Sequence, residues 1–332
     1  MIEAILDNGV ELILWLQSLG DWIFAPMKAI TFLGSADFYY LLLPVLFWSV
    51  DAVLGLRVAL ILIANTHLNI FLKWAFHLPR PYWYAAEVDG LVPEYGFGAP
   101  SGHAQLPSSI LGLVAVAVRR RWFWVSAMAL AFLIGFSRLV LGAHFHLDVV
   151  AGWALGFLVL YLFLKFEAPV KAWFDRQSIG AGVGAAFVIS LALILIGWGI
   201  VSSLSGLQIP QEWVGNALAD QPDEPIDPLE LTDVISTAAS LFGVVTGALW
   251  LQRGGWYDAG GDTGKRILRF IIGVIGVLIL LEGLGAVLPR NEDLLSYSLR
   301  YLRYGLVGLW ITGVSPMLFI KLGIARRAQP GS

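Results

Sequence analysis

Cysteine is absent from all 332 residues, which excludes disulfides, thiolate nucleophiles and cysteine-based metal sites. Charge is scarce as well. Only 14% of the residues are Asp, Glu, Lys or Arg, against roughly 25% in soluble domains. A net charge of −3 offers no electrostatic footprint for nucleic acid. Neither a GxGxxG loop nor a Walker sequence occurs, and no internal repeat is present. The pairs Gly254-Gly255 and Gly260-Gly261 lack a following Lys-Ser/Thr and read as turns. No basic region precedes the first apolar stretch, so no cleavable signal peptide is expected.

What the chain does contain is apolar: 58% of residues are hydrophobic and 14 are Trp. Several runs approach or exceed the ~20 residues that cross a bilayer as a helix. An all-α polytopic membrane protein is therefore expected. Spans are predicted at about 36–50, 54–77, 104–119, 122–141, 147–166, 179–203, 232–252, 266–288 and 296–322, about nine in total. Before them, residues 1–34 place Glu3, Asp7, Glu11, Asp21 and Lys28 among Leu, Ile and Trp at helical spacing. Helices lying in the interface are expected there rather than a span over 11–34, because each mid-bilayer charge would cost roughly 2.5–3.5 kcal/mol.

If nine spans alternate, the basic loops at Arg119–Arg121, Lys165–Arg176, Lys265-Arg266 and Arg326-Arg327 share one side, which marks it as cytoplasmic. The external side then takes residues 78–103, the 142–148 turn and the loop at 204–231. That loop carries Asp220-Gln-Pro-Asp-Glu-Pro and Asp227-Pro-Leu-Glu230 and reads as a solvated connector, with a lid or partner surface as the alternative. Glu282, inside an apolar run, is expected to snorkel or to pair with Arg290. Tyr82-Trp83-Tyr84 fits an aromatic interface belt.

Three short blocks hold the chemistry, each at the edge of an apolar run. In the first, Lys73 and Arg80 are seven residues apart, two helical turns, and prolines on both sides of Arg80 predict an extended segment there. Arg supplies a planar fork and Lys a compact charge for phosphate oxygens, and Arg138 adds a third cation. The second block, Pro100-Ser101-Gly102-His103, looks like a helix start, where Ser101, Gly102 and His103 would offer backbone N–H groups to an anion. In the third, His144 and Asp148 are four apart and share a face if the turn is helical. A carboxylate on one imidazole nitrogen fixes the tautomer and leaves the other nitrogen nucleophilic. Of the remaining histidines, His146 reads as a bystander, His67 as an interhelical hydrogen-bonding residue, and His77 as a variable position near a headgroup.

Taken in order, Lys73-x6-Arg80-Pro81, Pro100-Ser101-Gly102-His103 and Ser137-Arg138-x5-His144-x3-Asp148 resemble the three signature motifs of the type 2 phosphatidic acid phosphatase (PAP2) superfamily. Gly142 and Gly152 also fit the pattern, and the resemblance covers roughly residues 30–166. It implies a PAP2-type helical bundle, extended here by about four C-terminal transmembrane helices. The expected division is 1–34 as interfacial helices, 35–170 as catalytic core and 171–332 as transmembrane extension. It further implies that His144 attacks phosphorus, Asp148 holds its imidazole, and His103 protonates the leaving oxygen and then activates water. Lys73, Arg80, Ser101, Gly102 and Arg138 would bind the phosphate. No metal and no cofactor is expected, because the cations supply the charge stabilisation.

The function expected is a membrane lipid phosphatase of the inner membrane, with its site on the external side. Its substrate would be phosphatidic acid, phosphatidylglycerophosphate or undecaprenyl diphosphate in type. The alternatives are a phosphotransferase using the same intermediate, a non-catalytic phospholipid-binding or transport protein, and a phosphatase of soluble esters like the glucose-6-phosphatase branch. Oligomeric state is left open.

Overall fold

The computed structural model of the chain describes residues 2–223, 225–289 and 291–328. Glu224 of the acidic loop and Arg290, the expected counter-ion of Glu282, lie outside the described residues. Helices make up nearly all regular structure. In chain order they are α1 (Ile2–Gln17), α2 (Phe24–Phe32), α3 (Ala36–Val45), α4 (Ala52–Phe76), α5 (Pro81–Tyr84), α6 (Gly102–Val118), α7 (Arg121–Val140), α8 (His146–Arg176), α9 (Ile179–Ser203), α10 (Gln211–Asp220) and α11 (Thr232–Arg253). Two long helical stretches, Thr263–Val287 and Leu294–Lys321, complete the chain.

Among the described residues, seven helices are long and apolar enough to cross a membrane, and two shorter apolar ones, Phe38–Val50 and Gly102–Val118, fall where the other two spans are predicted. The chain is a multi-pass helical membrane protein. Residues 11–34 do not form one continuous helix: α1 stops at Gln17, Gly20 takes a φ of 101°, and α2 starts at Phe24.

The chain folds as two compact units, each assembled from separate segments. The first takes residues up to Tyr39, Ala64–Leu162 and Gly199–Glu230; the second takes Tyr40–Ile63, Phe163–Trp198 and the chain from Leu231 onward. A division at 34/35 and 170/171 cuts across these units.

In the first unit, Leu16 and Ile23 of the N-terminal segment pack with Ala104, Leu139, Val140 and Val149. This core binds the start of α6 to the end of α7 and the start of α8, which carry the second and third blocks. A polar ladder joins α4 to α6. Asn65 Nδ2 donates to Ser109 Oγ (2.8 Å), Gln105 Nε2 to Asn65 Oδ1 (3.1 Å), and Asn69 Nδ2 to Gln105 Oε1 (2.9 Å) and to the Pro100 carbonyl (3.1 Å). Buried amides that satisfy one another fix a helix register, because any slip would leave them unpaired in an apolar interior.

The loop at 204–231 contains α10 and is docked, not free in solvent. Asn216 Nδ2 donates to the Trp83 carbonyl (3.0 Å), Gln221 Nε2 to the Gly90 carbonyl (2.6 Å), and the Asp227 N–H to the Tyr95 carbonyl (3.1 Å). Most of its described residues are still exposed or half-buried, as a solvated connector requires, but it is fastened where carbonyls of residues 83–95 find their donors on it.

The second unit packs α11 against Leu294–Lys321 through small residues, with a Cβ at Gly308 reaching to 2.7 Å of the Val244 nitrogen. Its other anchor is Arg269, fully buried, whose guanidinium donates to the carbonyls of Asp258 (3.2 Å), Ala259 (2.7 Å) and Gly260 (2.9 Å).

Candidate active site

All eight residues singled out from the sequence belong to the first unit; α4, α6, α7 and α8 carry five of them, and Arg80, Ser101 and His144 lie in the segments between helices. Lys73 ends α4, half-buried, in the field of Arg80, Glu94, Arg138 and Asp148. Arg80 follows in extended backbone, φ −91° and ψ 159°, as its flanking prolines predict. That extension turns the guanidinium away from α4 and back under the loop at 94–97. There Arg80 Nε donates to the Gly96 carbonyl (2.6 Å) and Nη2 to the Phe97 carbonyl (3.2 Å). Its Nη1 donates to the Ala143 carbonyl (3.0 Å) and lies 3.3 Å from His144 Nε2.

Arg80 therefore ties the second half of the loop to the turn that presents His144. It also assigns a tautomer. A guanidinium can only donate, so His144 Nε2 accepts and the ring proton sits on Nδ1. That nitrogen faces Asp148 Oδ2 at 3.5 Å, while the same carboxylate oxygen accepts the Phe145 N–H at 2.9 Å. The turn is not helical, for α8 begins at His146. The His144–Asp148 pair is made by a tight turn in which Gly142 takes a φ of 68°. Burial first, then the charges of Arg80, Arg138 and Lys73, hold the His144 pKa well below its ordinary value. A neutral imidazole with a lone pair on Nε2 is the form a nucleophile needs.

Ser101 is the N-cap of α6, but its backbone N–H is spent on the Asp148 carbonyl at 2.9 Å. This corrects the expectation that all three residues of the block offer backbone donors. What Ser101 keeps is its Oγ, fully buried and without a hydrogen-bond partner. Gly102 and His103 open the helix, so their N–H groups have no intrahelical acceptor. Close approach of α8 to this helix start depends on Gly152, where a Cβ would lie 2.5 Å from the Ser101 carbonyl oxygen.

Two groups in the site carry no signal in the motifs. One is Thr31 on α2, whose Oγ1 accepts from Arg138 Nη1 at 2.8 Å, so the N-terminal segment reaches the cations of the site. The other is Glu94. Its Oε2 accepts from Arg80 Nη2 at 3.1 Å, its Oε1 accepts a short bond from Arg138 Nη2, and the same oxygen is 3.9 Å from His103 Nδ1. Burial alone would push the Glu94 carboxyl up, but the two guanidiniums overcome it and hold the group well below the usual carboxylate range.

The side chains of Glu94 and His103 are 21% and 22% exposed, whereas those of Arg80, Arg138, His144 and Asp148 are at most 6% exposed. The site is thus open to solvent at Glu94 and His103, with both guanidiniums covered. Tyr82 and Trp83 are buried, which corrects the interface-belt reading: Tyr82 Oη donates to the Glu94 carbonyl (3.0 Å) and the Trp83 ring lies 5.8 Å from the Arg80 guanidinium carbon. Among the described residues no group of three or more His, Asp or Glu side chains is arranged to hold a metal ion.

This geometry can bind a tetrahedral oxyanion between two arginines, a serine hydroxyl and a helix start, next to an oriented imidazole. Comparison with known proteins points the same way. The family model for the PAP2 superfamily matches residues 54–171, and that for the PAP2 superfamily phosphatase transmembrane extension matches residues 235–327. The chain is similar to the glucose-6-phosphatase catalytic subunit 1 of Felis catus, 25% identical over 92% of this chain and 91% of that protein. It is similar to phosphatidylglycerophosphatase B of Bacillus subtilis, 28% identical over 45% of this chain and 78% of that protein. With the undecaprenyl-diphosphatase of Sulfolobus acidocaldarius it shares 32% identity over 30% of this chain and 49% of that protein.

Proposed function

Because the chain belongs to the PAP2 superfamily and is a phosphate ester hydrolase, we propose that it removes a terminal phosphate from a membrane lipid through a phosphohistidine at His144. The substrate class is a lipid monoester or diphosphate of the phosphatidic acid, phosphatidylglycerophosphate or undecaprenyl diphosphate type. The site faces the outside of the inner membrane, opposite the basic loops. One observation carries the reading: a single guanidinium, Arg80, touches both an anion, the Glu94 carboxylate at 3.1 Å, and the Nε2 lone pair of His144 at 3.3 Å. A phosphoryl group held by the same fork would sit beside the nucleophile.

In the first step His144 Nε2 forms a bond to phosphorus as the ester P–O bond breaks, and the electron pair leaves on the ester oxygen, which takes a proton from His103. Asp148 stabilises the Nδ1–H side of the ring as it gains charge. Lys73, Arg80, Arg138, Ser101 Oγ and the Gly102 N–H hold the three remaining oxygens, whose charge builds in the transition state. In the second step water attacks phosphorus, His103 takes its proton, and the P–N bond breaks to release inorganic phosphate.

A second reading, a water-soluble phosphate ester as substrate, is favoured by the match to the Felis catus glucose-6-phosphatase subunit, which runs through the C-terminal extension as well as the core. Purified protein in detergent, given a panel of lipid phosphates and sugar phosphates with EDTA present, separates the two. Release from the lipids, lost in His144→Ala, is expected. A requirement for a divalent ion, or activity that survives the substitution, would sink the mechanism.

A further inference from the structure

The two steps above leave Glu94 without a part, although it sits on the cations that must hold the phosphate. Its two oxygens are divided between Arg80 and Arg138. Neither guanidinium can take a phosphoryl oxygen by that edge until the carboxylate has left. The carboxylate is also well placed to return. Its backbone is tied by Tyr82 Oη to the Glu94 carbonyl (3.0 Å), by the Asp227 N–H to the Tyr95 carbonyl (3.1 Å), and by Arg80 Nε to the Gly96 carbonyl (2.6 Å). A tethered anion acts at a local concentration of about millimolar or more. Its side chain is partly exposed beside His103, on the open side of the site, while the groups beneath it are at most 6% exposed.

We propose that Glu94 is an internal ligand of the phosphate site, displaced by the entering substrate and returning to expel inorganic phosphate. The proposal rests on the phosphatase reading. A site with several cations and a helix start would otherwise hold its own product tightly. An internal carboxylate weakens every ground-state oxyanion alike, because each must displace the same group, and binding lost equally by all ligands is the signature of such a competitor.

The test uses the full-length protein in detergent, as wild type, Glu94→Gln and Glu94→Asp. Inhibition constants are measured for orthovanadate, inorganic phosphate and molybdate, together with KM and kcat for a lipid phosphate. For Glu94→Gln, all three constants and KM should fall by one common factor, about tenfold or more given that charge-assisted bonds to both arginines are lost. Glu94→Asp keeps the charge but is one methylene shorter, so its common factor should be smaller; it decides the matter if the Gln variant does not fold. Constants that rise, stay the same or fall by unequal factors would overturn the proposal. A wild type insensitive to vanadate would instead remove the phosphatase reading on which it rests.

Discussion

Replacing Arg80 by Lys keeps the positive charge and removes the fork, and the structure sets what that costs. The guanidinium makes contacts to Gly96 O, Phe97 O, Ala143 O, Glu94 Oε2 and His144 Nε2, at 2.6, 3.2, 3.0, 3.1 and 3.3 Å. An ammonium has three donors on one atom and cannot span contacts that diverge toward a loop and a turn. At least two acceptors are left unmet, at about 1–3 kcal/mol for each buried group. The chemical step loses a preorganised donor to the phosphoryl oxygens, for which a loss of about 10²–10³ in kcat is the usual scale. The assay is phosphate release from a lipid phosphate in mixed micelles, with thermal unfolding followed on the same samples. Both kcat and the unfolding temperature should drop, and Lys73→Arg, which alters charge geometry elsewhere, should not lower stability by a similar amount. If Arg80→Lys kept kcat within about threefold, electrostatic attraction alone would suffice and the bidentate argument would be wrong.

Other substitutions separate binding from folding. Ser101→Ala removes a buried hydroxyl with no partner in the protein, so stability should hold or rise, by up to about 1–3 kcal/mol. Its kcat/KM should nevertheless fall about 10–100-fold, the scale of one charged hydrogen bond; a large stability loss would show that the hydroxyl has a structural role. Gly152→Ala forces a methyl to 2.5 Å from the Ser101 carbonyl oxygen, so α8 and the helix start at Ser101 must separate, and activity and unfolding temperature should fall together. Retention of both would mean that the two elements have slack. The depressed pKa of His144 keeps its ring neutral as pH falls through the ordinary histidine range, so any acid limb of kcat/KM that belongs to it lies below about 6.5. A limb above that value, removed by no other substitution, would contradict the assignment.

The apolar segments were legible because a bilayer demands ~20 apolar residues per helix whatever the packing. The three blocks were legible because covalent spacing already limits where Lys73, Arg80, His144 and Asp148 can go. Arg80 is extended for a local reason, the prolines on either side of it. What escaped is non-local. Glu94 sits in an irregular stretch between α5 and α6, and only the fold of that loop brings it onto Arg80 and Arg138. Thr31 reaches Arg138 from 107 residues away in the chain. The docking of residues 211–230 also follows from carbonyls that are open only once residues 83–95 have folded. Nor does spacing reveal that the Ser101 N–H donates to the Asp148 carbonyl, which follows only from the close approach of α8 to the start of α6.

The central claim is that phosphorus passes through a bond to His144, and rapid-quench trapping with substrate labelled on its terminal phosphate tests it directly. The account predicts an acid-labile, alkali-stable label on the peptide containing His144, which forms and decays within turnover and is absent in His144→Ala. A wild-type enzyme that turns over with no such label, or a His144→Ala variant that still releases phosphate, would contradict it.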